Sequence, residues 1–65
     1  MKWCDDEGNV YFAERASNGR WVCIRLNAGG NRKCVKQVGA FTNPFRCKSA
    51  IADYAKHKGW KEVPQ

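Results

Sequence analysis

Alternating apolar and polar positions in the first half of the chain predict three antiparallel strands. The segments 9–15, 20–26 and 32–38 are rich in β-branched and aromatic residues, and turn-forming residues separate them. Asn18-Gly19 is a strong hairpin signal that favours a type I′ turn, in which both central residues need positive φ angles. The glycine-rich segment 27–31 predicts a second turn. Met1 to Cys4 are a candidate for a further short edge strand.

A helical period replaces this alternation after residue 42. Apolar side chains recur at the three- and four-residue spacing of one helix face: Cys47, Ala50, Ile51 and Tyr54. Thr42 or Asn43 supplies the N-cap oxygen, and Pro44 fits the first helical position, where its missing N–H costs nothing. Gly59 is the expected left-handed residue that ends the helix, and 62–65 are predicted to be a short tail.

These elements predict an α+β fold. A three-stranded antiparallel β-meander packs against one C-terminal α-helix (β-β-β-α) in a single small domain, 1–65, and one sheet face stays open. One side of the second strand is entirely aliphatic: Val22, Ile24 and Leu26. That set favours the helix-facing side, which places Trp21 and Arg25 on the open face. In the alternative orientation Trp21 and Cys23 are buried and a bulge turns Arg25 outward. This orientation is less favoured because burying an arginine without a partner is costly.

Charge adds a candidate chemistry to this fold. The 65 residues carry 12 Lys and Arg against 6 Asp and Glu, a formal net charge of +6. No acidic residue lies between Arg15 and Ala52, a stretch with eight Lys and Arg residues, whereas 5–7 are all acidic. A basic block without compensating acids is typical of a phosphate-binding surface. The alternative interpretation is a basic surface that serves solubility alone.

The remaining composition narrows the class of protein. Four cysteines (Cys4, Cys23, Cys34 and Cys47) lack a C-x-x-C pair, which argues against a zinc knuckle. Reduced, mostly buried thiols are favoured, because no signal-peptide core precedes them and the expected location is cytoplasmic. Two disulfides or a metal site assembled from separate elements are the alternatives. The chain is short and contains no recognisable grouping of catalytic residues, so we do not expect an enzyme, a cofactor or a small-molecule substrate. We also do not expect a membrane span.

Short motifs along the chain resemble a known family of DNA-binding domains. They are Tyr11-Phe12-Ala13-Glu14-Arg15, Asn18-Gly19-Arg20-Trp21-Val22, Gly30-Asn31-Arg32-Lys33, Val38-Gly39-Ala40-Phe41-Thr42 and Ala50-Ile51-Ala52-Asp53-Tyr54-Ala55. From residue 11 to about 59 the chain is similar to the N-terminal arm-type DNA-binding domain of tyrosine integrases. It is equally similar to the DNA-binding domain of plant ethylene-responsive factors. This resemblance implies a three-stranded sheet laid in the major groove of DNA, with the helix behind it.

The candidate nucleic-acid-binding residues are basic, aromatic or amide side chains of the predicted strands. They are Arg15, Arg20, Trp21, Arg25, Arg32, Lys33, Lys36 and Gln37. Ile24 and Leu26 stand where the plant pattern has an acidic residue and an arginine, so base readout is not implied there. The favoured function is a module of phage or mobile-element type that binds double-stranded DNA through the basic face of its sheet. The alternative is a small phage-type module that binds a host protein through the same basic surface.

Overall fold

The predicted α+β fold is confirmed by the computed structural model, which describes residues 1–64. The strands are β1 (Lys2–Cys4), β2 (Val10–Arg15), β3 (Trp21–Leu26), β4 (Arg32–Cys34), β5 (Ala40–Phe41) and β6 (Lys61–Val63). The helix, α1, spans Pro44–Lys58. The sheet is antiparallel in the order β4-β3-β2-β1-β6, and β5 pairs with β3. Within residues 1–64, no helix is long and apolar enough to cross a membrane.

Three turns with the same hydrogen-bonding pattern connect β1 to β2, β2 to β3 and β3 to β4. In each, the backbone N–H of a glycine donates to the carbonyl three residues earlier: Gly8 to Asp5 (3.3 Å), Gly19 to Ala16 (2.9 Å) and Gly30 to Asn27 (3.0 Å). The three glycines share a φ of 84°, which side chains with a Cβ rarely adopt. The type I′ turn predicted at Asn18-Gly19 is wrong, because Asn18 does not have a positive φ. The side-chain oxygen of Asn18 instead accepts a hydrogen bond from the backbone N–H of Arg20 at 3.0 Å.

The third predicted strand, 32–38, is shorter than expected. β4 and β5 both pair with β3, and the chain between them, 35–39, leaves the sheet as a loop. Gly39 takes a φ of 108° where the chain returns to the sheet. The loop moves the candidate residues Lys36 and Gln37 out of the strand and into a turn.

Two short strands widen the sheet beyond the predicted meander. The candidate strand at the beginning of the chain is confirmed as β1, which pairs with β2. The prediction of a tail over 62–65 is wrong for residues 62 and 63, which belong to β6. This strand pairs with β1 and sets Glu62 opposite Trp3. Residue 65 lies outside the described residues. The edge of β1 offers unpaired backbone groups, and an extended segment just after the helix satisfies them.

The helix begins and ends as its capping residues predict. The side-chain oxygen of Asn43 accepts hydrogen bonds from two backbone N–H groups of the first turn, at 2.7 and 3.3 Å, and Pro44 is the first helical residue. Gly59 takes a left-handed conformation with a φ of 78°. The backbone N–H of Trp60 then donates to the carbonyl of Ala55 at 2.8 Å, as in a Schellman motif. This cap turns the chain back towards the sheet.

The core lies between α1 and one face of the sheet. Its buried cluster comprises Tyr11, Cys23, Cys47 and Ile51. Trp21 packs against this cluster, so Trp21, Cys23 and Arg25 share the helix-facing side of β3. The predicted orientation of β3, with Val22, Ile24 and Leu26 facing the helix, is therefore wrong. Cys23, which is fully buried, lets the helix approach closely, and Arg25 avoids the cost of burial because it lies half-exposed at the margin.

Candidate nucleic-acid interface

The structure distributes the eight candidate residues over four places. Residues directly opposite each other in an antiparallel pair share a face, so the register assigns their sides. Arg15 pairs with Trp21, and Lys33 pairs with Arg25, which places these four residues on the helix-facing side. Arg32 pairs with Leu26 and lies on the open face. Arg20 is exposed just before β3, while Lys36 and Gln37 are exposed in the 35–39 loop.

The open face of the sheet is apolar at its centre. The apolar residues on this side of β2 and β3 are Val10, Phe12, Val22, Ile24 and Leu26. Ile24 is 8 % exposed, and the others are half-exposed. Two cations border Phe12: the Lys2 Nζ lies 5.4 Å from its ring centroid and the Arg32 guanidinium carbon 5.8 Å. The Arg32 guanidinium also forms a salt bridge with Glu14. The basic, Trp-bearing open face predicted from the sequence is therefore wrong.

Half of the candidate residues meet in one cleft. Arg25, Lys33, Lys36 and Gln37, together with Cys34 and Val35, line a volume of about 360 Å³ that we call the cationic cleft. It exists because the 35–39 loop leaves the sheet beside β3. The backbone N–H of Val35 donates to the carbonyl of Cys23 at 2.9 Å and holds the start of this loop against the strand.

The charges of the cationic cleft are not neutralised by carboxylates. Within the described chain, no acidic residue lines this cleft, and the salt bridge between Arg32 and Glu14 is the only one. Arg25, Lys33 and Lys36 therefore present their positive charge to the cleft and to solvent. Guanidinium and ammonium groups in this arrangement bind phosphate or carboxylate oxygens, and charge-assisted hydrogen bonds of this kind are among the stronger ones.

A second cleft adjoins the first at the C-terminal end of α1. This aromatic cleft has a volume of about 240 Å³, and its lining residues are Tyr11, Arg25, Val35, Gln37, Tyr54, Lys58 and Trp60. The rings of Tyr11 and Trp60 stack with centroids 3.6 Å apart, and Tyr54 meets Trp60 at 5.3 Å with a tilt of 56°. Lys58 places its Nζ 5.6 Å from the Tyr54 ring centroid.

Tyr54, Lys58 and Trp60 line the aromatic cleft and lie outside the set of candidate residues predicted from the sequence. Tyr54 belongs to the apolar stripe predicted for the helix, and Trp60 directly follows the predicted helix end at Gly59. The i, i+4 spacing of Tyr54 and Lys58 was the available signal, because it places a cation beside an aromatic ring on one helix face.

Tyr11 forms an uncharged wall between the core and the aromatic cleft. Burial, the hydrogen bond to Asp5 and the negative charge of that carboxylate raise the pKa of Tyr11 to about 12, against the opposing charge of Arg25. The Tyr11 hydroxyl donates to the Asp5 Oδ2 at 2.7 Å. Tyr11 therefore stays protonated at neutral pH and adds no negative charge beside Arg25.

The cysteines are free thiols in this structure. Cys23 and Cys47 are buried in the core, and burial raises the pKa of the Cys23 thiol to about 12. Cys4 is half-buried and Cys34 is exposed at the rim of the cationic cleft. Among residues 1–64, no three His, Cys, Asp or Glu side chains are grouped so that they could hold a metal ion.

Comparisons of this chain with protein-family models, with curated proteins and with solved structures give no match. The resemblance to the integrase arm-type and ethylene-responsive-factor domains therefore stays a prediction.

Proposed function

We propose that this chain is a nucleic-acid-binding module that holds a phosphate backbone in the cationic cleft. The observation that carries this proposal is that Arg25, Lys33 and Lys36 line one concave site without a carboxylate among its lining residues. Phosphate contacts from Arg and Lys provide most of the affinity of nucleic-acid-binding proteins. The exposed amide of Gln37 lies in the same cleft and can both donate and accept hydrogen bonds.

The proposal differs from the sequence-based prediction in the surface that it uses. Direct readout of a duplex by Trp21 and Arg25 on the open face has lost its basis, because both residues lie on the helix-facing side. The open face carries Arg32, whose guanidinium is engaged by Glu14. Phosphate binding in the cleft keeps Arg25, Lys33, Lys36 and Gln37 of the predicted set and assigns no contact to the other four.

The test is a titration of a fluorescein-labelled oligonucleotide, as a single strand and as a duplex, followed by fluorescence polarisation. The logarithm of the binding constant is expected to fall linearly with the logarithm of the KCl concentration. The double variant Lys33→Ala/Lys36→Ala removes two phosphate contacts, so it should bind more weakly and lower that slope by about 2.

The matched control is the double variant Arg46→Ala/Lys48→Ala, which removes the same charge from exposed positions near the start of α1. Its affinity is expected to stay much closer to that of the original chain. Equal losses in the two double variants would show that only the net charge matters, and the cleft would then not be the site. Absence of binding to both oligonucleotides would overturn the proposal and favour an acidic protein as the partner of the cleft.

A further inference from the structure

The two clefts are adjacent, and together we call them the joined site or joined clefts. Arg25, Val35 and Gln37 line both of them, so the same side chains border the cationic cleft and the aromatic cleft. One end of the joined site therefore offers the ammonium groups of Lys33 and Lys36, and the other end offers aromatic rings beside Lys58.

The chemistry of the joined site matches a nucleotide unit. Cations at one end suit a phosphate, and the rings of Tyr54 and Trp60 at the other end suit a planar, apolar group such as a base. Both rings are half-exposed, whereas Tyr11, behind Trp60, is 5 % exposed and supports the stack from the core side. Gln37 lies where the two ends meet, within reach of either part of a nucleotide.

Only an unpaired base can use such a site. In a duplex, each base is stacked on both sides and its pairing edge is occupied, so aromatic side chains in a cleft cannot reach its face without unstacking it. A single strand presents the bases next to the phosphates, and base-aromatic stacking tolerates any sequence because every base has a π-face.

We infer that the joined clefts bind single-stranded nucleic acid, with a base against Tyr54 and Trp60 in the aromatic cleft and the adjoining phosphate at Arg25, Lys33 and Lys36. This inference rests on the proposed function and narrows its ligand. It also assigns a binding role to Tyr54 and Trp60, which belong to the helix and its C-terminal cap.

The decisive comparison uses the unaltered protein and two single-stranded probes. One is a thymidine oligonucleotide, and the other is an abasic oligonucleotide with the same number of phosphates. Stacking of even one base is expected to make the thymidine probe bind about fivefold or more tightly. Equal affinity for the two probes would overturn the inference and leave phosphate binding intact. Absence of binding to both would overturn the proposed function as well.

A duplex of the same length provides the second comparison. The thymidine strand is expected to bind more tightly than the duplex, in spite of the higher charge density of the duplex. Tighter binding of the duplex would contradict the inference, because the joined clefts would then favour paired over unpaired nucleic acid.

Two variants locate the base. Tyr54→Leu removes a ring from the aromatic cleft and should reduce the preference for the thymidine probe over the abasic probe. Phe45→Leu removes a ring that is 75 % exposed in the first turn of α1, away from either cleft, and should leave the preference unchanged. Thermal unfolding of each variant by circular dichroism checks that it is folded. An unchanged preference in folded Tyr54→Leu would contradict the placement of the base.

Discussion

The indole of Trp60 stacks on the phenol ring of Tyr11, with centroids 3.6 Å apart and ring planes 10° from parallel. Trp60 follows the helix cap and Tyr11 lies in β2, so this pair joins the end of α1 to the sheet. Trp60 also packs against the buried cluster that Tyr11 belongs to. The contact therefore couples the helix cap, the core and the wall of the aromatic cleft.

Removal of this contact should destabilise the whole domain. We expect Trp60→Ala to lower the free energy of unfolding by about 3 kcal/mol, at the lower end of the range for core aromatics because Trp60 is half-exposed. Trp60→Phe keeps a ring against Tyr11 and should cost less than half as much. Urea unfolding followed by circular dichroism measures both variants. Equal losses for the two would mean that stacking on Tyr11 contributes little.

The carboxylate of Asp5 accepts the hydrogen bonds that stabilise the turn between β1 and β2. It accepts hydrogen bonds from the backbone N–H groups of Glu7 and Asn9, from the Asn9 side chain and from the Tyr11 hydroxyl. We expect Asp5→Ala to cost about 1–2 kcal/mol of unfolding free energy at neutral pH. Asp6→Ala removes an exposed neighbouring carboxylate and serves as the control, with an expected change close to zero.

The free energy of unfolding should fall in acid, because the same carboxylate becomes protonated. Partial burial alone would raise its pKa, but the four hydrogen bonds hold the pKa of Asp5 at about 2, below its usual 3.8. A lowered pKa in the folded state stabilises the fold above the unfolded value, and this contribution is lost as the pH falls from 3.8 towards 2. Unfolding midpoints measured across this range should fall more steeply for the original chain than for Asp5→Asn. Parallel curves would contradict the role given to Asp5.

Two adjacent glycines in the turn between β3 and β4 should respond differently to substitution. Gly30 has a φ of 84°, so Gly30→Ala forces an alanine into the left-handed region at a cost of about 1–2 kcal/mol. Gly29 does not have a positive φ, and a Cβ there would meet the Asn27 Oδ1 at 3.4 Å, an ordinary contact. Gly29→Ala should therefore be neutral or stabilising by up to about 1 kcal/mol. Thermal unfolding of the two variants compares them directly, and the opposite ranking would mean that the turn has another conformation.

The four thiols should react in a fixed order. Cys34 is exposed and should react first with Ellman's reagent, followed by the half-buried Cys4. Burial raises the pKa values of Cys23 and Cys47, so both thiols stay protonated and covered until the protein unfolds. The assay is run at mildly alkaline pH with and without guanidinium chloride. Cys34→Ser should remove the fastest phase, whereas rapid reaction of all four thiols in the folded protein would contradict the burial of Cys23 and Cys47.

Local signals in the sequence predicted the local parts of the fold. Asn43, Pro44 and Gly59 identified the limits of the helix, because capping depends on the hydrogen bonds and φ angles of neighbouring residues. The three similar turns also have a signal in the sequence, since Gly8, Gly19 and Gly30 recur every eleven residues. That spacing matches a repeated strand-and-turn unit.

Which side of the sheet faces the helix, and where the clefts form, depends on contacts between residues that are far apart in the sequence. The aliphatic side of β3 was more hydrophobic, yet the helix packs on the side of Cys23, where Cys47 and Ile51 meet Tyr11. Four candidate residues reached the cationic cleft because of a loop over 35–39 that a strand pattern did not reveal. The aromatic cleft needed Trp60 to fold back from the helix cap onto β2.

The apolar open face of the sheet affects how the protein behaves in solution. Copies that met through Phe12 and Leu26 would bury apolar surface, and repulsion between chains of net charge +6 opposes that encounter. Salt shortens the range of this repulsion from about 10 Å at 0.1 M to about 3 Å at 1 M. We therefore expect self-association through this face to increase as the salt concentration rises.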